Sequence, residues 1–141
     1  MKKFLVGIFL LLLTSPVLAG DTPIYVTNVF SNQAVAANSS VTSGEIDLSS
    51  LYTPDGYFGL QVTVAGSGTA KITYTLSNDH SMSYATHYNS SGTDQSVIVT
   101  ALTAGSAFYS FSPALARYIK FTVEETGDSD PVTVTAVLSV Q

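Results

Sequence analysis

The chain has 141 residues, carries 5 Lys and Arg against 10 Asp and Glu, and has a formal net charge of −5 with only 11% charged residues. Binding to nucleic acid or to anionic lipid depends on clustered cations, so this balance argues against both. The sequence contains no Cys, which excludes disulfides, thiolate chemistry and a lipid attached to an N-terminal cysteine.

The first residues have the layout of a secretory signal. Two lysines precede an apolar run at residues 4–13, and small residues ending at Ala19 follow. This order predicts a signal peptide at 1–19, with a retained anchor or a core helix as the alternative. We therefore expect an exported protein, in the periplasm, at the cell surface or outside the cell. Residues 20–38 are predicted to form an N-terminal arm or edge strand, and 39–141 a single domain.

Four segments alternate apolar and polar residues with the period of two that a β-strand requires. They lie at 57–64, 70–76, 117–123 and 132–140. Less regular strand candidates occur at 24–30, 41–48, 96–102 and 108–111. The alternation predicts these inward-facing residues: Phe58, Leu60, Val62, Val64, Ile72, Tyr74, Leu76, Ile119, Phe121, Val123, Val132, Val134, Ala136, Leu138 and Val140.

Turn-forming residues separate these segments. The glycine turn at 66–68 predicts a hairpin over 57–76, and the turn at 127–131 predicts a second hairpin between the last two strands. Residues 112–116 begin with Ser-Pro, a sequence typical of the start of a helical turn. The loop at 80–94 is the least patterned segment, and such loops on β-frames often carry binding residues.

Seven to nine strands with turn signals about every ten residues predict an all-β fold. The expected architecture is an antiparallel two-layer β-sandwich of the jelly-roll type.

A catalytic set cannot be assembled from this sequence. Asp79, His80 and Ser81 are consecutive, whereas a triad needs side chains that converge in space. No Gly-x-Ser-x-Gly turn is present. His80 and His87 supply only two zinc ligands, fewer than a site requires. We therefore expect a protein that is not an enzyme and that needs no cofactor, with calcium as the one open exception.

Calcium could bind at the turn between the last two predicted strands. Asp128 and Asp130 lie there with Glu124 and Glu125 close in sequence. Because calcium takes six to eight oxygen ligands and this turn supplies few, a solvated turn is the alternative.

Carbohydrate binding would need exposed aromatic rings together with polar groups. Tyr84, His87, Tyr88 and Asn89 in the long loop are the candidate ligand-binding residues. A second pair, Tyr52 and Tyr57, flanks the Pro-Asp-Gly turn. The alternative is that these tyrosines close the rim of the sandwich.

Three short motifs occur in the order found in one family. They are Tyr-Thr-Leu-Ser-Asn-Asp at 74–79, Ala-Arg-Tyr-Ile-Lys-Phe at 116–121, and Ile-Asp-Leu at 46–48. The chain resembles the discoidin-like, or galactose-binding-like, jelly rolls over about 40–125. The resemblance implies their sandwich fold. His80 stands where that family often has glycine, and the chain has no Trp, so the resemblance implies no ligand residue.

The main hypothesis is a secreted, non-catalytic structural or interaction module that self-assembles at the cell surface. The alternative is a carbohydrate-binding module. The expected partner is accordingly a protein, either a second copy or a surface protein, or a glycan. Nucleic acid is not expected, nor is membrane insertion once the signal is cleaved.

Overall fold

The computed structural model of the protein describes residues 24–51, 56–80, 83–127 and 130–141. The predicted signal peptide therefore lies outside the described residues. No helix within these ranges is long and apolar enough to cross a bilayer. The same ranges contain one 3-10 helix at Leu48–Ser50 and ten strands: β1 Tyr25–Val35, β2 Ser40–Thr42, β3 Ile46–Asp47, β4 Phe58–Gly66, β5 Ala70–Ser77, β6 Ala85–Thr86, β7 Val97–Leu102, β8 Gly105–Phe111, β9 Tyr118–Glu125 and β10 Val132–Val140.

The strands form two antiparallel sheets. The four-stranded sheet has the order β1-β10-β4-β8. In the six-stranded sheet β9 and β5 are neighbours; β2 and β3 pair with β9, and β6 and β7 pair with β5. The predicted all-β, two-layer antiparallel sandwich is confirmed. The strand count exceeds the predicted seven to nine because the strand predicted at 41–48 is divided into β2 and β3. In addition, β6 has only two residues, too few to show an alternating pattern.

The core lies between the sheets and is made by the predicted alternation. Every inward-facing residue predicted on β5, β9 and β10 is buried, and so are Leu60, Val62 and Val64 on β4. Phe58 is only partly buried, but it packs against the core and its ring centroid lies 5.6 Å from that of Phe111. Burying one face of each strand is what stabilises the two-layer arrangement.

Both predicted hairpins are wrong. β4 pairs with β10 and β8, whereas β5 pairs with β9, so residues 67–69 cross from one sheet to the other. Likewise, β9 belongs to the six-stranded sheet and β10 to the four-stranded sheet, so the last two strands do not pair. A short turn between two half-buried strands has the same sequence pattern whether the partner strand lies beside it or opposite it. Alternation alone therefore could not distinguish the two arrangements.

The buried carboxyl group of Glu125 contacts both segments at which the chain passes from one sheet to the other. Glu125 is 2% exposed. Its Oε2 accepts a hydrogen bond from the backbone N–H of Asn38 (3.0 Å), and its Oε1 accepts from the N–H groups of Thr69 (3.1 Å) and Gly127. Backbone donors on three segments thus satisfy both buried carboxyl oxygens, as burial of a polar group requires.

Residues 112–116 do not form the predicted helical turn. They are irregular chain between β8 and β9. A single helical turn gains too few hydrogen bonds to be stable without packing, and Leu115 within it is fully exposed.

Candidate functional site

A cavity opens at the end of β5, where the chain leaves the six-stranded sheet. It has a volume of about 470 Å³. Its polar walls include Asn78 and Asp79 after β5, with Thr86 and His87 opposite them. Ala114, Leu115 and Ala116 from the segment between β8 and β9 form the apolar wall. We call this space the loop-end cavity.

The turn after β5 is fixed by its own side chains. The Ser77 hydroxyl donates to the Asp79 carbonyl (2.8 Å) and accepts from the Asp79 N–H (3.2 Å). Asn78 Oδ1 accepts from the backbone N–H of Arg117 (3.1 Å), which links this turn to the segment before β9. These hydrogen bonds fix the part of the cavity wall that Asn78 and Asp79 form.

His87 is held from the core side of the cavity. Its Nδ1 lies 2.6 Å from the hydroxyl of Tyr74, and the two rings are 6.0 Å apart. Tyr74 is 1% exposed. Burial, with a smaller effect from the charge of Asp94, raises the pKa of Tyr74 to about 12, so its hydroxyl is neutral at ordinary pH. With Nδ1 engaged, Nε2 is the ring nitrogen left for a ligand.

The loop after His87 folds on Asn89. Asn89 Oδ1 accepts from the N–H and hydroxyl of Ser91 (3.1 and 3.0 Å) and from the N–H of Thr93 (2.9 Å). The loop is closed by the Gln95 N–H, which donates to the His87 carbonyl at 2.8 Å. Of the predicted residues, Asn89 thus shapes the loop, while its neighbour Tyr88 lines the cavity and is 58% exposed.

Tyr84 lies apart from the cavity, on the outer side of the six-stranded sheet. Its hydroxyl donates to Glu45, and the Lys120 ammonium lies 4.1 Å from its ring centroid. Burial first, and then the bond to Glu45, raise the pKa of Tyr84. Glu45 also pairs with His80. This cluster fastens the start of the loop to the segment between β2 and β3.

A second cavity of about 620 Å³ lies on the other side of the 112–117 segment. Asn78 and Leu115 line both cavities, and Leu48, Phe58 and Arg117 line the second but not the first. Sequence reasoning missed the contributions of Asn78 and Leu115, because it treated their segments as a turn and a helical turn. The Ser-Asn-Asp sequence beside a strand end was the available signal.

Of the two residues predicted to bind calcium, the structure describes one. Asp128 lies outside the described residues, and Asp130 precedes β10. Among the residues that the structure describes, no group of three or more Asp, Glu or His is placed to hold a metal ion.

Comparison with known proteins gives weak structural similarities. No protein-family model matches the sequence, and no curated protein shows a significant match. The SPBc2 prophage-derived protein YomS has 17% identity and a TM-score of 0.43, over 83% of this chain and 93% of that one. The CBM22-1–GH10 modules of Clostridium thermocellum endo-1,4-beta-D-xylanase 10B, complexed with xylohexaose, have 13% identity and a TM-score of 0.45, over 84% of this chain and 25% of that one.

Carbohydrate-binding module CBM36, in complex with calcium and xylotriose, has 13% identity and a TM-score of 0.39, over 83% of this chain and 92% of that one. Because all three TM-scores are below 0.5, these similarities do not identify the function of this chain.

Proposed function

We propose that the protein is an exported, non-catalytic glycan-binding module that holds a sugar residue in the loop-end cavity. The observation that carries the proposal is the convergence of Tyr88, His87 and Asn78 on one cavity of about 470 Å³. Ligand pockets typically measure about 300–1,000 Å³ and combine apolar walls with a few directed polar groups. Export is proposed from the signal peptide that the sequence predicts at 1–19.

The composition of the cavity suits a sugar without negative charge, because the Asp79 carboxyl group is part of its wall. Amide, hydroxyl and imidazole groups from Asn78, Thr86 and His87 face apolar walls from Leu76 and Ala116. A sugar ring presents hydroxyl groups at its edge and C–H groups on its faces, so both kinds of wall have a partner. Tyr88 adds an exposed aromatic ring on which such a face can stack.

The preformed hydrogen bonds also favour binding over a purely structural role. His87 is fixed by Tyr74, and the turn carrying Asn78 is fixed by Ser77 and Arg117. Groups held in place before a ligand arrives reduce the conformational entropy lost on binding. The carbohydrate-binding alternative therefore has more support from the site than self-assembly does.

The experiment is a glycan array with the purified protein, followed by calorimetry with the strongest soluble glycan. We expect Tyr88→Ala to weaken binding by about tenfold or more, the effect of losing one well-placed aromatic contact. Tyr25→Ala is the matched control, since Tyr25 is an exposed tyrosine on β1 (43%) that lies outside the cavity. A blank array, or equal affinity for wild type and Tyr88→Ala, would overturn the proposal.

A further inference from the structure

The charged residues are segregated between the two sheets. Strands β1, β4, β8 and β10, all of whose residues the structure describes, contain no Asp, Glu, Lys or Arg. Lys71 on β5, together with Lys120 and Glu124 on β9, lies in the six-stranded sheet. The outward-facing side of the four-stranded sheet is therefore uncharged, and we call it the neutral face.

The strand register defines what the neutral face presents. One row across the sheet consists of Asn28, Val137, Gln61 and Phe108. The adjacent row consists of Val26, Ser139, Gly59 and Ser110. The face thus carries amides and hydroxyls, interleaved with a few exposed apolar side chains.

Two exposed aromatic rings lie at one end of this face. Tyr57 is 70% exposed and Phe108 is 62% exposed. They line a cleft of about 250 Å³ together with Ile24, Ser110, Ser139 and Gln141. None of these six residues lines the loop-end cavity.

Gly59 gives the Phe108 ring its position in the cleft. A Cβ on residue 59 would lie 2.7 Å from Cε1 of Phe108 and 2.8 Å from Oγ of Ser139, distances closer than carbon and oxygen atoms tolerate. The tip of the ring therefore lies over residue 59, and the Phe108 side chain remains 62% exposed. An exposed aromatic ring on a sheet surface can stack against a sugar ring.

We propose that the neutral face binds an extended, uncharged polysaccharide, with Tyr57 and Phe108 as stacking platforms. Hydroxyl and amide side chains such as Ser110 and Gln61 supply hydrogen bonds to sugar hydroxyls. An anionic chain would find no cation on this face, and a cationic chain no carboxylate. This site is separate from the loop-end cavity and does not depend on it.

A second copy of the chain fits this face less well. Interfaces between proteins are built around an apolar centre that excludes water. Here the rings of Tyr57 and Phe108 share their cleft with Ser110 and Ser139. The Ser139 hydroxyl donates to the Gly59 carbonyl (3.3 Å), but the Ser110 hydroxyl would need a partner in a dimer, and a polysaccharide brings one.

The test is depletion of the protein from solution by insoluble cellulose, chitin or xylan, with polygalacturonate as the anionic comparison. We expect depletion by at least one neutral polymer, weakened about tenfold or more in the double variant Tyr57→Ala/Phe108→Ala. Val97→Ala, an exposed apolar residue on the other sheet, should bind as wild type does. Tyr88→Ala should also retain this binding, which separates the neutral face from the loop-end cavity.

Light scattering and thermal unfolding of the same variants complete the test. The double variant should unfold within a few degrees of wild type, because both rings are solvent-exposed. The proposal is overturned by a lack of depletion on all neutral polymers, or by a double variant that binds as wild type does. It is also overturned if wild type is a dimer that the double variant dissociates.

Discussion

The hydroxyl of Tyr74 and Nδ1 of His87 lie 2.6 Å apart, although Tyr74 is on a core strand and His87 is in a surface loop. The Tyr74 ring packs 5.4 Å from that of Phe111 inside the sandwich. Through this contact the orientation of a cavity side chain depends on the packing of the core.

Tyr74→Phe isolates the contribution of that hydroxyl. The ring stays in the core, so the free energy of unfolding should fall by about 1 kcal/mol, the usual value of one hydrogen bond. Urea denaturation measures this change. Tyr88→Phe is the control, because Tyr88 is 58% exposed, and its loss of a hydroxyl should leave stability nearly unchanged. Equal stability of Tyr74→Phe and wild type would contradict a bond between Tyr74 and His87.

The raised pKa of Tyr74 predicts a loss of stability in alkali. Tyrosine in the unfolded chain ionises near 10, whereas burial raises the pKa of Tyr74 to about 12. The unfolded state therefore releases its proton first, and the free energy of unfolding should fall as pH rises from 10 to 12. Denaturation at a series of pH values measures the slope, which should be smaller in Tyr74→Phe. An identical slope of the free energy of unfolding against pH in wild type and Tyr74→Phe would show that Tyr74 does not cause the loss of stability.

Glu45 offers a measurement at acidic pH. The hydrogen bond from Tyr84 is the main cause that holds the pKa of Glu45 below its ordinary 4.5. A lowered carboxyl pKa contributes stability above 4.5, and the contribution is lost as pH falls through the folded-state pKa. Carboxyl NMR titration should therefore give a midpoint below 4.5 that rises in Tyr84→Phe. Tyr88→Phe should leave the titration midpoint of Glu45 unchanged. An unchanged midpoint in Tyr84→Phe would show that the hydrogen bond from Tyr84 does not lower the pKa of Glu45.

Gly68 at the first sheet crossing has no space for a side chain. A Cβ there would contact the backbone carbonyl of Asp130 and lie 2.9 Å from both Oε1 of Glu125 and Cγ1 of Val132. Gly68→Ala should lower the free energy of unfolding by about 2 kcal/mol, since backbone must shift. Gly44→Ala is the matched control, because a Cβ there meets nothing within 4 Å. Equal free energies of unfolding for Gly68→Ala and Gly44→Ala would contradict the lack of space for a side chain at residue 68.

The sequence predicted the layers but not the connections between strands. Alternation around Leu60, Ile72 and Phe121 placed these residues in the core, because a sandwich buries one face of each strand wherever the strand lies. The same pattern could not tell that the turn at 66–68 changes sheets. That choice depends on contacts between distant segments, such as those of Glu125 with Asn38 and Thr69.

The candidate site was predictable to a smaller extent. The sequence predicted Tyr84 and Tyr88 in one loop. The hydrogen bond from Tyr84 to Glu45, however, holds the Tyr84 side chain on a different surface from that of Tyr88. Asn89 carried the right chemistry for a ligand and instead bonds within its own loop. Such assignments depend on which partner lies nearest in space, and spacing along the chain does not contain that information.

Chemical-shift mapping tests the central claim most directly. The ¹⁵N-labelled protein would be titrated with the soluble glycan that binds best on the array, and the backbone amide shifts followed. We expect the largest changes at 77–79, 86–88 and 114–116, the three segments that surround the loop-end cavity. Changes confined to any other surface, the neutral face included, would contradict the placement of the glycan site in that cavity.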